Sequence, residues 1–388
     1  MRVLITGARA LAALGLARRF AQQGHAVYTA DSVHLPASRF SNAVVRHTTT
    51  PSPRADHLGF IEALERIIRR DKIDLLAPTC EEIFYIAAFC ERLSRLCRVF
   101  CNDLALLRQF HHKGRLACIA QGLGVSIPHS ETLSSAQDLQ PYLARSAAYV
   151  FKPAYSRFAA QTLIGPSATQ LRRVRPSEQS PWVAQPYLTG DEQCAYAVAV
   201  DGALTAFSCY RPLYRWGRAA GFYLQPVEAP TLLAFCRRFA HRHRVTGQFG
   251  FDLLLRDGRY HLLECNPRAT SGVHLFDAAT PLSAAFAHGQ PAAPALTPAR
   301  HAPVMMADVM LLFGHSRARH PCAQTFWRDF RRGSDILYSA QDRGPVMGKW
   351  LGVGESVVRA LSRRMTFIEA SNRDLEWNGE PLQQETAA

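Results

Sequence analysis

Residues 247–275 read GQFGFDLLLRDGRYHLLECNPRATSGVHL. Two arms of strand-type residues, Gln248 to Leu255 and Tyr260 to Cys265, flank Asp257-Gly258, a dipeptide that favours tight hairpin turns. Loop length decides what such a hairpin carries. With a two-residue turn and regular pairing, Asp252 and Glu264 fall on opposite faces. A three-residue loop, Arg256-Asp257-Gly258 with Gly258 left-handed, sets Leu255 opposite Arg259 and brings Asp252, Glu264 and Asn266 onto one face. The spacing then makes Asp252 and Glu264 diagonal neighbours, about 7–8 Å apart at the backbone. Two carboxylates so placed suit hard divalent cations, with Asn266 adding a neutral oxygen. Arg268, two residues on, suits a phosphate. The plainer reading is a half-buried hairpin with its polar residues in water. Leu254 and Leu262 share the acidic face and argue against it.

The chain has 388 residues, enough for two or three domains or one enzyme built of lobes. At 48% hydrophobic it can bury a full core, and it has no apolar run long enough to span a membrane. MRVLITGAR at the start is a strand-type run, so no signal peptide is expected. The ten cysteines form neither a disulfide framework nor a zinc-finger pair; Cys90, Cys97 and Cys101 lie close together without a second pair. Reduced thiols and a cytoplasmic location are the expectation. The net charge of +14 raises nucleic acid as a partner, but the basic residues are dispersed rather than in blocks. A basic cleft for nucleotides and small anions explains the charge equally well. Of the 45 basic residues only Lys72, Lys113, Lys152 and Lys349 are lysines. Where arginine is used almost everywhere, a lysine marks a place for a compact ammonium.

Strand and helix signals alternate over residues 1–101: strands at Arg2–Thr6, His25–Ala30, Leu75–Pro78 and Arg98–Cys101, and helices at Leu11–Gln22, Asp56–Arg70 and Glu81–Arg95. Such alternation implies a parallel, doubly wound sheet. The first turn, Gly7 to Ala12, lacks the glycines that let backbone approach a pyrophosphate, which speaks against a dinucleotide site and an oxidoreductase. Glu81 and Glu82 sit at a strand's C-terminal end, where they either face a cleft or cap the next helix. Short helices follow at Asn102–Phe110 and Lys113–Gly122. Then come a strand at Tyr149–Pro153 carrying Lys152, another at Trp182–Gln185, and a hairpin around Asp201-Gly202. Tyr210–Phe222 reads as a loop in which Arg211, Arg215 and Arg218 alternate with aromatics. A carboxylate substrate is the preferred partner there, with Arg211 the first choice, over stacking on nucleic-acid bases. A helix spans Thr231–Arg244, and Pro, Ala and Gly at 289–303 mark a boundary.

The cluster Asp252…Glu264-Cys265-Asn266-Pro267-Arg268 resembles the metal-binding hairpin of the ATP-grasp superfamily, and the resemblance extends in order over roughly residues 1–290. It implies a Rossmann-like domain at 1–102, an ATP-grasp domain at 103–290 with lobes 103–188 and 189–290, and a C-terminal extension at 291–388: an α/β unit followed by an α+β fold. It places Lys113 and Lys152 on the nucleotide phosphates. The backbone around Gln185, Pro186, Tyr187 and Leu188 falls on the adenine edge, and Glu192 on the ribose. Asp252, Glu264 and Asn266 hold one or two Mg²⁺ ions, with Mn²⁺ as a substitute. Asn266 and Arg268 become catalytic, and Ser156 helps bind phosphate. The usual glycine-rich flap is replaced by Ala154–Ala160, which has no glycine. The implied reaction activates a small-molecule carboxylate as an acyl phosphate and joins it to an amine, releasing ADP and phosphate. A bicarbonate-using carboxylase and a non-catalytic ATP-binding protein are the alternatives. A homodimer is the default assembly.

Overall fold

The computed structural model describes residues 1–156, 161–215, 221–287, 294–317 and 323–382. Strands β1 (Arg2–Thr6), β2 (Ala26–Asp31), β3 (Val44–Thr49), β4 (Leu75–Ala77) and β5 (Arg98–Val99) form a parallel sheet in the order β3-β2-β1-β4-β5. Helix Leu11–Gln22 packs Leu16, Ala17 and Phe20 into its core, and helix His57–Asp71 is capped by Asp56, whose carboxylate accepts from the Gly59 N–H. The edge strand β3 has only half-buried alternation and gave no sequence signal. The single helix expected at 81–95 is two, Glu82–Ala87 and Cys90–Ser94. Phe89 leaves helical geometry (φ −123°, ψ 26°) to pack edge-on against His57 at 4.9 Å.

Strands β6 (Glu131–Leu133), β7 (Tyr149–Pro153), β8 (Leu163–Ile164) and β9 (Trp182–Pro186) make a small antiparallel sheet, β6-β9-β7-β8. The largest sheet runs β14-β13-β10-β11-β12-β15-β16, built from β10 (Asp191–Val200), β11 (Ala203–Arg215), β12 (Gly221–Pro226), β13 (Gly247–Arg256), β14 (Arg259–Asn266), β15 (Val304–Met305) and β16 (Ser334–Asp335). One face is covered by helix Pro230–His243, whose Phe235 and Phe239 meet Phe251 at 4.8 and 4.9 Å. The other face joins the first sheet: Tyr196, Val198 and Ala206 share a core with Val3, Ile5 and Phe20. The stretch after Tyr210 expected as a loop is strand through Arg215, with β12 from Gly221; Arg218 lies outside the described residues. β15 and β16 extend this sheet past residue 290, so the chain after the Pro-rich boundary completes the second lobe. No helix among the described residues is long and apolar enough to cross a membrane.

The hairpin differs from the three-residue loop in its sequence-based reading. Arg256 pairs with Arg259, and Asp257 and Gly258 are both left-handed (φ 50° and 73°), a two-residue turn. Pairing proceeds regularly to Leu253↔Leu262. It then skips Leu263, and Asp252 sits directly opposite Glu264, not diagonally. Leu263 is a β-bulge, and the extra residue restores the parity that the short turn loses.

The C-terminal segment returns to the first sheet. Trp377 is buried and stacks on Phe84 at 4.5 Å, and its backbone N–H donates to Glu81. Arg9, on the turn after β1, lies between two carboxylates: it donates to Asp31 at 2.9 Å and to Asp374 at 2.6 Å. The turn that might have held a dinucleotide is thus filled by protein. A Cβ at Gly7 (φ +67°) would come within 2.8 Å of Glu82 and 2.9 Å of Thr79, so this glycine serves close packing of the chain on itself.

Replacing Arg9 with Met leaves the buried Asp31 without its cation and Asp374 with Arg359 alone. The expected loss is about 3–5 kcal/mol, read from the urea midpoint. Burial raises the Asp374 carboxyl, but Arg9, Ser32 and Arg359 together outweigh it and hold it at about 2. The folded value lies below the unfolded one, so its stabilisation, about 2 kcal/mol, is complete above about pH 4 and is lost as pH falls through 2. Asp374→Asn should flatten that acid limb of the stability curve.

Candidate functional site

The bulge at Leu263 assembles the site. It sets the Glu264 carboxylate opposite Asp252, with Asn266 opposite Gly250 two pairs further on. The Asn266 amide donates to Asp252 at 3.3 Å. Burial and then the charge of Glu264 raise the Asp252 carboxyl above its ordinary range. Two carboxylates pressed together in this way suit a divalent cation, and a two-acid, one-amide set leaves positions for phosphate oxygens and water, as Mg²⁺ favours. Among the described residues no group of three or more His, Cys, Asp or Glu side chains forms an all-protein metal cage.

Both lysines converge on this hairpin from the smaller sheet's side. Lys113 is 3% exposed; its ammonium donates to the Ser156 carbonyl at 2.8 Å and stands 3.4 Å from Glu264. Lys152, on β7, donates to the bulge carbonyl of Leu263 at 3.0 Å and to Gln185 at 3.2 Å. Burial pushes the Lys152 ammonium down to about 8, with Glu264 and Asp252 opposing the fall and Lys113 adding to it. Ser156 therefore presents its carbonyl to Lys113. The remainder of the expected flap, with Arg157 and Phe158, lies outside the described residues.

The expected hinge occupies the end of β9. The Gln185 side chain is buried and spans Lys152 and Ser130, so it positions a lysine. Pro186 has no N–H, and the Tyr187 N–H is engaged by the Ala148 carbonyl at 2.8 Å. The Leu188 N–H has no backbone partner among the described residues. Glu192 projects from β10 into an ion pair with Arg215. Arg211 pairs with Asp191 at 3.0 Å and does not line the main cavity.

That cavity, about 400 Å³, opens beside Arg268. It lies between the first βα turn, the segment after β14 and the C-terminal helices Gly344–Arg363 and Phe367–Asn372. Arg268 donates to the Ala269 carbonyl at 3.1 Å and to the Asn266 side-chain oxygen at 3.3 Å. Its Nε has no hydrogen-bond partner among the described residues and lies 3.9 Å from Glu81, itself 1% exposed. Glu81 does not cap the following helix with its side chain; Glu82 accepts from Thr6, Thr79 and Cys80, tying the turn to β1. The pairing of Arg215 with Glu192, and which residues of the C-terminal helices wall the cavity, escaped the sequence reading. Arg215 is one arginine among many, and those helices carry no motif.

No family model matches the chain, and no curated protein matches it by sequence. Solved structures do. N5-carboxyaminoimidazole synthetase from Staphylococcus aureus superposes with a TM-score of 0.59 at 12% identity, over 81% of this chain and 85% of that one. Phosphoribosylamine–glycine ligase from Thermotoga maritima gives 0.58 at 17% identity, over 78% of each chain. An L-amino acid ligase from Bacillus licheniformis gives 0.52 at 14% identity, over 70% of this chain and 68% of that one. At such identities the likeness establishes a shared fold.

Asp252→Asn removes a carboxylate that burial and the neighbouring Glu264 raise above its ordinary range. In EDTA this variant should melt a few degrees above the wild type, about 1 kcal/mol of gain. Millimolar Mg²⁺ or Mn²⁺ should raise the wild-type melting temperature and leave the variant unmoved. An equal metal response in both proteins would remove Asp252 from the metal site.

Proposed function

We propose, from the premise that this chain has the ATP-grasp fold, that it is an ATP-dependent ligase which activates a small-molecule carboxylate and joins it to an amine or similar nucleophile. The observation that carries the reading is the convergence of Lys113 and Lys152 on the bulged hairpin that pairs Asp252 with Glu264.

In this reading ATP lies between the smaller and the larger sheet. Asp252, Glu264 and Asn266 would hold Mg²⁺, which would supply positive charge to the nucleotide phosphates. Lys113 and Lys152 exchange their present carbonyl and carboxylate partners for phosphate oxygens. The Lys152 ammonium is close to the branch point of its titration near pH 8, and phosphate contact holds it protonated. The Leu188 N–H serves the adenine edge and Glu192 the ribose hydroxyls, with Arg215 steadying Glu192. The substrate carboxylate attacks the γ-phosphorus, the bond to the β,γ-bridging oxygen breaks, and ADP leaves. The amine then attacks the acyl carbon, loses a proton and expels phosphate. Arg268, buried beside the cavity, faces the charge that develops on the acyl and phosphoryl oxygens. No protein nucleophile is required, so catalysis rests on position and electrostatics. The cavity beside Arg268 far exceeds the needs of bicarbonate, which favours a larger acid over the carboxylase alternative.

Glu264→Ala should lower acid-dependent ADP release from Mg-ATP by at least about 100-fold, since it removes a metal ligand and the partner of Lys113 together. The assay compares wild type and variant across pools of small carboxylic acids, with and without amines. Bound Mg-ATP with no acid-dependent release from any pool would sink the ligase reading; failure to bind ATP would sink the nucleotide site.

A further inference from the structure

The cavity beside Arg268 has an uneven supply of charge. Arg9 is held by Asp31 and Asp374, and Lys349 is held by Asp308. Glu355 accepts from the His34 and Leu35 N–H groups and from Arg359. His274 is buried and kept neutral by burial and by Arg18 and Arg19. These charged groups of the lining are thus engaged by an opposite charge or a built hydrogen-bond set, whereas Arg268, whose other nitrogens donate to the Ala269 carbonyl and to Asn266, keeps one nitrogen without a hydrogen bond among the described residues. Its Nε is buried without a hydrogen-bond partner, and its nearest carboxylate, Glu81, is beyond hydrogen-bond reach at 3.9 Å. Thr270, also in the lining, buries a hydroxyl with no partner. A buried polar atom left unpaired costs about 1–3 kcal/mol, so both groups mark the place of a ligand's polar end.

The remaining walls are apolar. Leu35, Leu224, Met306, Ile336, Val353 and Phe367 surround the space, contributed by separate parts of the chain. Gly352 lets the helix Gly344–Arg363 approach closely, since a Cβ there would stand 2.8 Å from the Leu35 carbonyl. The volume of about 400 Å³ lies in the lower part of the range for sites that enclose a small organic molecule, about 300–1,000 Å³.

We infer that this cavity holds the acid substrate, a monoanionic carboxylic acid with an apolar body. Its carboxylate meets Arg268 and Thr270, and its body lies against the helix Gly344–Arg363. The inference rests on the ligase reading for its chemistry. It excludes two broad classes. A sugar phosphate carries about two negative charges and needs more than one unengaged cation. A free amino acid brings an ammonium, and the single carboxylate of the lining, Glu355, is already committed to backbone N–H groups and Arg359. Asn266 links the two halves of the site: it touches Asp252 on one side and Arg268 on the other, so the acid's carboxylate is delivered toward the metal and the γ-phosphate.

Calorimetric titration of the whole protein tests this, with 4-phenylbutyrate, phenylalanine and ribose 5-phosphate as probes, in the presence of Mg²⁺ and a non-hydrolysable ATP analogue. The expected order places 4-phenylbutyrate at least 10-fold tighter than either of the others. Val353→Asp should weaken it by 10-fold or more, and Arg268→Met should abolish measurable binding. Phe367→Ala, at the half-open mouth, leaves the core alone and should weaken binding several-fold even where Val353→Asp impairs folding. Tighter binding of phenylalanine or ribose 5-phosphate overturns the substrate class. Unchanged affinity in Phe367→Ala and Val353→Asp overturns the location. Binding of the nucleotide analogue with none of the three probes overturns the inference and leaves the ligase reading standing. Failure of the analogue itself to bind overturns the ligase reading.

Discussion

The Leu263 carbonyl accepts a hydrogen bond from the Lys152 ammonium at 3.0 Å, because one residue of β14 has no partner on β13. The other features of the site follow from that offset. Without it the two-residue turn at Asp257-Gly258 would place Glu264 on the far face of the sheet, away from Asp252. With it, one extra residue turns a carboxylate inward and at the same time offers a carbonyl to a buried lysine. The smaller sheet, which carries Lys152, and the larger one, which carries both acids, are therefore tied together at the point where the chemistry would occur.

Charge is used sparingly in the interior, and around the hairpin it is set against opposite charge. Lys113 and Lys152 are almost fully buried and close to one another's field, which the two carboxylates of the hairpin offset. Asp252 in turn is raised by burial and by Glu264. The group is under electrostatic tension in the absence of ligands: two acids face each other, and a lysine is pushed toward neutrality. A polyanion with a divalent cation relieves both at once, because it supplies negative charge to the lysines and positive charge to the acids. Such tension is a cost to stability that a binding site retains.

The C-terminal segment performs a structural role that its lack of motifs conceals. Two short strands extend the large sheet, and the helices beyond them return to the first sheet through Arg9, Asp374 and Trp377. At the first turn of the Rossmann-like unit Arg9 occupies the space and links Asp31 to Asp374, which lies 365 positions after Arg9 in the chain. The same return closes the wall of the cavity beside Arg268. A domain that would bind a cofactor in another context here forms one side of the cavity beside Arg268.

Local periodicity and turn chemistry determined a good deal. The alternating strands and helices over the first hundred residues, the strand carrying Lys152, and the hairpin with its Asp-Gly turn were legible because each depends on neighbours in sequence. The grouping of Asp252, Glu264 and Asn266 was also legible, but for the wrong reason. Spacing alone sets the parity with a longer loop, whereas the structure uses the short turn and a bulge. Nothing in Leu262-Leu263-Glu264 announces a bulge; it is settled by Lys152, more than a hundred residues upstream, which takes the freed carbonyl. Glu81 beside Arg268, the engagement of Arg211 by Asp191, and the two-residue strands β15 and β16 belong to the same class. Residue type and spacing decided which chemistry this chain can carry. Pairing between distant segments, whose register and countercharges depend on the packed whole, decided where that chemistry sits and what surrounds it.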